Sequence, residues 1–448
     1  MARVVVVGGG WAGCAAALAA RKVGAEVVLL ERTDQLLGTG LVGGIMRNNG
    51  RYTAAEEMIA LGAGELFLAC DAVARHRSIE FPGHKHATLY DVARIEPRVR
   101  ALLMEARVEV HLQHRVTGVR VEGDRLAAVE AGAAGEKTVW EGDAFVDATG
   151  SAGPQGNCTR YGHGCCMCIL RCPSFGPRVS VAEKAGVREK MGRTPTGQVG
   201  SMSGSCKILK DSLAPDLQRV LDRDGVLVLP LPAELRKADL SKKACQQYAL
   251  PDFAENLILL DTGHAKLMTS YFPLEALRSV PGLENARYED PYAAGVGNSI
   301  RYLAMSPHDE ALKVEGVANL FCGGEKAGPL VGHTEAICTG TLAGFNAARH
   351  AQGLPPLVLP TGLAVGDAIA QVTERMRGPE EGLTEKYTFS GSVYFARMKA
   401  LGLYTTDRGQ IRQRVRQAGL EGVFSGLAQA EAAASRDRRE EQGVGREA

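Results

Sequence analysis

Val4, Val5, Val6 and Val7 run directly into Gly8-Gly9-Gly10-Trp11-Ala12-Gly13, and this junction restricts the fold more than any other part of the chain. Four consecutive β-branched residues suit a strand buried on both faces of a parallel sheet. The glycines fit G-x-G-x-x-G and open an alanine-rich helical stretch from Cys14 to Val23. Val27-Val28-Leu29-Leu30 then reads as a second buried strand ending on Glu31, with Arg32 beside it. Each part has a physical task. Gly8 permits the tight turn, Gly10 lets a pyrophosphate approach the backbone, and Gly13 allows helix and strand to close together. Free N–H groups at the helix start hold the diphosphate, and Glu31 accepts hydrogen bonds from ribose hydroxyls. Strand, glycines, helix, strand and acid in this order define a dinucleotide site.

Later segments select FAD as the dinucleotide. Val108 to Leu112, Val116 to Val121 and Leu126 to Val129 read as strands of a small antiparallel sheet, the usual insertion in FAD domains, with Val116 beside the adenine. Ala144 to Gly150 is a strand closing on an A-T-G turn, so Thr149 and Gly150 pass close to the diphosphate. Asn319 to Glu325 is a strand with a glycine turn at Gly324 and Glu325, and a helix from about His333 to His350 follows. The positive end of that helix suits the flavin ring or its ribityl chain. Any one of these segments is also an ordinary βα unit; their order indicates FAD. Only one G-x-G-x-x-G occurs, so electrons are expected from a transient donor such as NAD(P)H, or through a relay.

Composition sets outer limits. The chain has 448 residues and a formal net charge of +1, which gives no support to an extended nucleic-acid surface. No apolar stretch approaches membrane-spanning length, and the first strand leads straight into the glycines, so neither a membrane span nor a cleaved leader is expected. Eleven cysteines in a chain this long suggest thiols, metal ligands or redox groups in a reducing cytoplasm.

Val280-Pro281-Gly282-Leu283-Glu284-Asn285-Ala286, Ala304-Met305-Ser306-Pro307 and Gly340 to Arg349 resemble the GidA/TrmFO group of tRNA-modifying flavoproteins. Gly332, Glu335 and Leu359-Pro360-Thr361-Gly362 add to the likeness. The resemblance implies a Rossmann-like FAD domain interrupted by a smaller substrate domain. It also implies flavin-mediated reduction or carbon-unit transfer onto a tRNA uridine. Carried over, Gly8, Gly10, Gly13, Glu31, Gly324, Gly332 and Gly340 line FAD. Three departures are visible: Leu36 to Asn49 contains no cysteine, Glu325 stands where the family turn has glutamine, and one residue is inserted around Pro329 to Val331.

The second informative stretch follows the A-T-G turn. Cys158, Cys165, Cys166, Cys168 and Cys172 cluster before Pro173, and Cys165-x-x-Cys168-x-x-x-Cys172-Pro173 partly matches a ferredoxin-like ligand run. Three readings stay open. Cys158, Cys165, Cys168 and Cys172 ligate an iron–sulfur cluster or zinc. Alternatively Cys165, Cys168 and Cys172 act as a redox dithiol or nucleophile near the flavin, or the thiols simply fill a domain junction. Cys206 is a further candidate thiol. The glycine-rich stretch Leu37 to Gly44 and the trio Asn48, Asn49 and Arg51 are candidates for flavin or substrate contact. His333 and Glu335 are candidates for proton handling, with helix capping the plainer role for His333. Cys322 and Cys338 read as core. Arg408, Arg412, Arg414 and Arg416 form a basic stretch that suits either RNA phosphates or solvent.

The fold class expected is α/β: a discontinuous Rossmann-like FAD domain over 1–155 and 312–360, a parallel sheet with helices. An α+β substrate domain carrying the cysteine cluster interrupts it over 156–311. A helical segment over 361–428 and a charged tail over 429–448 complete the chain. The function expected is an FAD-dependent oxidoreductase with the cysteine loop as relay, metal site or nucleophile, acting with a redox donor or small-molecule substrate. GidA/TrmFO-type tRNA uridine modification is the alternative, and a non-catalytic flavin electron-transfer subunit is another. A homo-oligomer is expected.

Overall fold

The computed structural model describes residues 1–132, 136–150, 175–193, 197, 199, 201–202, 205–236, 248, 250–269, 272–289, 300–301 and 304–426. Its centre is a parallel sheet. Strand β1 (Arg3–Val7) lies between β2 (Glu26–Leu30) and β10 (Ala144–Asp147), flanked by β6 (Glu109–His111) and β15 (Leu320–Cys322). Val4 pairs with both Val27 and Ala144, and Phe145 pairs with Leu320. Both faces are covered, which is why these strands read as continuous apolar runs. The chain thus leaves this sheet after β10 and rejoins it at β15.

Helix α1 (Trp11–Lys22) and helix α3 (His333–Ala351) cover one face at unusually short range. A Cβ at Gly340 would fall 2.1 Å from the Ala12 carbonyl oxygen, and one at Gly344 2.1 Å from that of Ala16. Glycines four apart on α3 therefore meet residues four apart on α1, backbone to backbone. Val108 to Leu112, expected as the first strand of a small antiparallel sheet, instead supplies β6 of the parallel sheet, paired with β2. The antiparallel sheet of β7 (Arg115–Glu122), β8 (Arg125–Gly132) and β9 (Thr138–Glu141) keeps the other two expected strands, with β9 as the third. Asn319 ties it down, donating to the carbonyls of Leu126 and Asp143 and accepting from the Leu126 N–H.

Between β10 and β15 lies a second antiparallel sheet in the order β11 (Cys206–Ile208), β14 (Ala265–Leu267), β13 (Asn256–Asp261), β12 (Val226–Pro230). Alternate residues of β13 serve two cores. Leu257 and Leu259 face the insert's own core, whereas Ile258 and Leu260 join Ile45, Phe81, Ala87 and Leu89. Those last four come from a three-stranded sheet of β3 (Ile45–Met46), β4 (Ala74–Phe81) and β5 (His84–Tyr90), contributed by the N-terminal half.

Helix α2 (Gly50–Ala60), with α4 (Ala364–Arg377) and α5 (Arg408–Gln417), closes the molecule on the C-terminal side. Glu57 of α2 is fully buried and accepts from the N–H groups of Ala364 and Val365 at 2.9 and 3.0 Å, satisfying the start of α4. Burial raises its pKa to about 7, against the lowering effect of those bonds and of Arg414. An acid with a folded pKa above its unfolded one stabilises the fold below the unfolded value, here 4.5, and loses that contribution as pH rises through about 7. Denaturant titrations should therefore show stability falling between these pH values, by on the order of 3 kcal/mol for this group. Glu57→Gln should flatten the slope in that window even where the weaker cap lowers stability overall. An unchanged slope would place the titration elsewhere.

Candidate functional site

A cavity of about 250 Å³ begins at the β1–α1 glycines and ends against the insert. At its first end Gly8, with φ +99°, has the Ala148 carbonyl oxygen where a Cβ would be, at 2.4 Å. Gly10, by contrast, faces open space: a Cβ there would have nothing within 4 Å. It precedes the first turn of α1, whose start has no side-chain cap, so N–H groups are presented to the cavity. The Glu31 carboxylate is fixed by the Gly9 N–H at 2.7 Å and by the Thr33 N–H and hydroxyl at 2.8 and 2.9 Å. It therefore stands at the cavity wall already oriented.

The opposite strand ends build the remaining diphosphate wall. Asp147, fully buried at the end of β10, accepts from the N–H and hydroxyl of Thr149 and from the N–H groups of Val181 and Ala182. That bond set shapes the A-T-G turn, and Thr149 and Gly150 line the cavity with Arg178 beside them. Arg32 donates to the Gly176 carbonyl and Arg115 to that of Pro177 at 2.8 Å, clasping the chain where it returns to the wall.

The far end is made by the start of α3, the turn at 38–44 and the insert. Gly332, with φ +145°, leaves room for two groups that a Cβ would meet: Arg51 Nη2 at 2.1 Å and Glu335 Oε2 at 2.0 Å. Arg51 Nε donates to both Glu335 oxygens at 3.0 and 3.1 Å, and its Nη1 donates to Asn48 Oδ1. Glu335 also accepts from the Thr388 hydroxyl at 2.7 Å and the Phe389 N–H at 2.8 Å. His333 lies where a Cβ at Gly43 would come within 1.6 Å of its Cε1. Tyr90 donates to the Gly40 carbonyl at 2.7 Å, and burial holds its phenol well above the ordinary pKa, keeping it a donor. From the insert, Ser205, Tyr248, Lys266, Met268 and Thr269 complete the wall.

Of the residues expected from sequence, Gly8, Gly10, Glu31, Arg32, Val116, Thr149, Gly150, Gly324, Glu325 and Gly332 line this cavity, as do Arg51 and His333. Gly13 and Gly340 instead serve packing: a Cβ at Gly13 would fall 1.7 Å from the Gly8 carbonyl oxygen, and Gly340 meets Ala12. Glu335 is locked to Arg51 rather than open to solvent. Cys206 lies in the insert's apolar core, and its neighbour Ser205 is the residue on the wall, since adjacent strand positions face opposite ways. Burial holds the thiols of Cys14, Cys70, Cys322 and Cys338 well above the usual range, so they remain protonated. Cys158, Cys165, Cys166, Cys168 and Cys172 lie outside the described residues. Among the described residues no group of His, Cys, Asp or Glu is arranged to hold a metal, and no helix is long and apolar enough to cross a membrane.

Sequence reasoning missed Arg178, Lys266 and Ser205. Lys266 left one trace: a single charged residue inside an otherwise apolar Ala265–Leu267 strand.

A nucleotide fits this cavity by construction. The uncapped helix starts and the open face of Gly10 suit a diphosphate, Glu31 suits ribose hydroxyls, and the length of wall beyond suits a flavin. A family model described as FAD dependent oxidoreductase matches residues 3–153, and one described as Glucose inhibited division protein A matches 254–355. Among curated relatives, the tRNA uridine 5-carboxymethylaminomethyl modification enzyme MnmG of Thermus thermophilus is 26% identical over 422 residues, 83% of this chain and 69% of that protein. The MnmG of Acholeplasma laidlawii is 33% identical over 118 residues, covering 25% of this chain and 18% of its own length. The crystal structure of Aquifex aeolicus GidA, form II, superimposes with a TM-score of 0.70 at 18% identity, covering 99% of this chain and 76% of that one. Fold, cavity and family matches together define an FAD-dependent oxidoreductase. Within that class, the chain is GidA-like.

Proposed function

We propose that the protein is a flavin-dependent enzyme that modifies a uridine base in tRNA. The observation that carries this reading is where the Glucose inhibited division protein A match falls. Residues 254–355 contain both the insert's wall, Lys266, Met268 and Thr269, and the turn from Gly323 to His333 at the start of α3. The likeness therefore extends to the chain that shapes the reacting end, and is not confined to the nucleotide scaffold. It favours this reading over the cysteine relay expected from sequence.

When bound, FAD supplies reversible two-electron chemistry. The chain's own residues do the rest. The start of α3 and Arg51 orient the ring end, Tyr90 and His333 fill the space behind the turn at 38–44, and the insert's polar groups face an incoming base. Arg408, Arg412 and Arg416 are exposed on α5, with Arg412 and Arg416 sharing Glu421. RNA phosphates compete well for exposed arginines whose described ion pairs are with single carboxylates. A reduced nicotinamide visiting the ring is the proposed electron source, and a reducing cytoplasm the proposed setting.

Purified holoprotein should bind tRNA with an affinity that falls steeply with salt. Replacing Arg408, Arg412 and Arg416 together by glutamine should reduce that slope by about 2 to 3. Nucleoside analysis of tRNA from a deletion strain should show a lost uridine modification. No binding at low salt together with an unchanged nucleoside profile would overturn the proposal. One observation keeps a second reading in view: Gly150 and Arg178, both on the cavity wall, bracket the segment that carries the cysteine cluster. Iron, zinc and labile-sulfide contents of the same holoprotein separate a metal-bearing relay from plain thiols.

A further inference from the structure

Lys266 is a charged residue in a place where strand and core favour an apolar one. It sits on β14 between Ala265 and Leu267, is 5% exposed, and lies on the cavity wall. Burying an ammonium group is costly unless its charge is used or matched. Its Nζ donates to the Val42 carbonyl at 2.6 Å and to the Ser205 hydroxyl at 2.9 Å. The first oxygen belongs to the glycine-rich turn of the N-terminal half and the second to the insert. Together they fix where the charge sits, on the part of the cavity wall that the insert and the glycine-rich turn build.

The other cations of the wall have separate tasks. Arg32, Arg115 and Arg178 gather at the nucleotide end with Gly150, and Arg51 is bound to the Glu335 carboxylate. We propose that Lys266 is the positioning residue through which the insert sets the redox balance of the flavin, its buried ammonium favouring the reduced, negatively charged ring. This rests on the assignment of FAD to the cavity. A hydride donor of the reduced-nicotinamide class delivers two electrons and one proton and leaves as the oxidised nicotinamide. The ring that accepts them carries one more negative charge at neutral pH once its second acidic position is left unprotonated. A fixed positive charge held at a site walled by protein stabilises that charge far more than it would in bulk solvent. The oxidised ring is neutral and gains little, so Lys266 acts on the difference between the two states.

The test uses full-length holoprotein as wild type, Lys266→Met and Lys266→Arg, with the flavin potential measured against reference dyes. Sulfite titration, which also places negative charge on the ring, is followed by flavin absorbance. Lys266→Met should shift the equilibrium at least tenfold toward oxidised flavin, about 30 mV for a two-electron couple. It should also weaken sulfite binding at least tenfold. Lys266→Arg should restore most of both. Should Lys266→Met fail to fold, Ser205→Ala, which loosens the ammonium without removing it, should move both readouts in the same direction by a smaller amount. A wild-type potential and sulfite affinity in flavin-loaded Lys266→Met, or in Ser205→Ala where that variant stands in, overturns the proposal while leaving the FAD assignment intact. Wild-type protein that takes up no flavin would sink both.

Discussion

Arg51→Met should lower stability by about 3 to 5 kcal/mol and strip the protein of most of its FAD. The loss does not come from one hydrogen bond. Glu335 has no exposed surface, and Arg51 is the cation that meets both of its oxygens. Removing the guanidinium leaves a carboxylate deep in the protein accepting from the Thr388 hydroxyl and the Phe389 N–H, with no cation to match its charge among the described ion pairs. An ion pair broken on one side costs far more than the pair contributes when intact. The damage also reaches the cavity, because Arg51 Nη1 holds Asn48 and Nη2 holds Thr388. Urea titration gives the stability change, and the ratio of flavin to protein absorbance gives the occupancy. Arg51→Lys should recover part of the stability but less of the geometry, since an ammonium cannot reach Glu335, Asn48 and Thr388 together. Wild-type stability and occupancy in Arg51→Met would show that the pair is dispensable.

Gly340→Ala should be among the most damaging single-methyl changes in the molecule. The added carbon would lie 2.1 Å from the Ala12 carbonyl oxygen, and backbone cannot turn aside as a side chain can. Helices α1 and α3 must then separate, and they carry the two uncapped starts that face the cavity. Overpacking costs about 1 to 3 kcal/mol where neighbours yield, and this contact should exceed that range. The expected result is poor soluble yield, or a protein with native-like far-UV but weakened near-UV circular dichroism. Gly353→Ala is a useful contrast, since no atom lies within 4 Å of its added carbon and its left-handed φ of +72° is the one source of strain. Equal stability of Gly340→Ala and wild type would mean that the two helices stand farther apart than described.

The parts legible from sequence were those whose signal is local. β1, β2 and β10 are continuous apolar runs because they are buried on both faces, and the β1–α1 glycines identify themselves by spacing. The β3–β5–β4 sheet left no such mark. β3 has two residues, and β4 is mostly solvent-facing with repeated register shifts against β5, so its alternation is broken. Gly13 and Gly340 belong to the fingerprint and the family pattern yet do not face the cavity; spacing reveals that a glycine is required, not which atom requires it. Arg51 and Glu335 could each be singled out, but their partnership joins positions far apart in the chain and only the fold brings them together. Lys266 was missed because its neighbours in sequence are core residues, while its chemical neighbours, Val42 and Ser205, come from elsewhere.

The alternation along β13 has a mechanical consequence. A strand that feeds apolar side chains to its own lobe on one side and to the N-terminal half on the other acts as a rivet between them. Swinging the lobe outward would wet Ile258 and Leu260 together with Ile45, Phe81 and Leu89, so parting the two halves carries the cost of exposing a shared apolar core. Under the proposed reading, a tRNA would reach the cavity through its mouth most cheaply, threading the reacting base inward while this shared core stays closed.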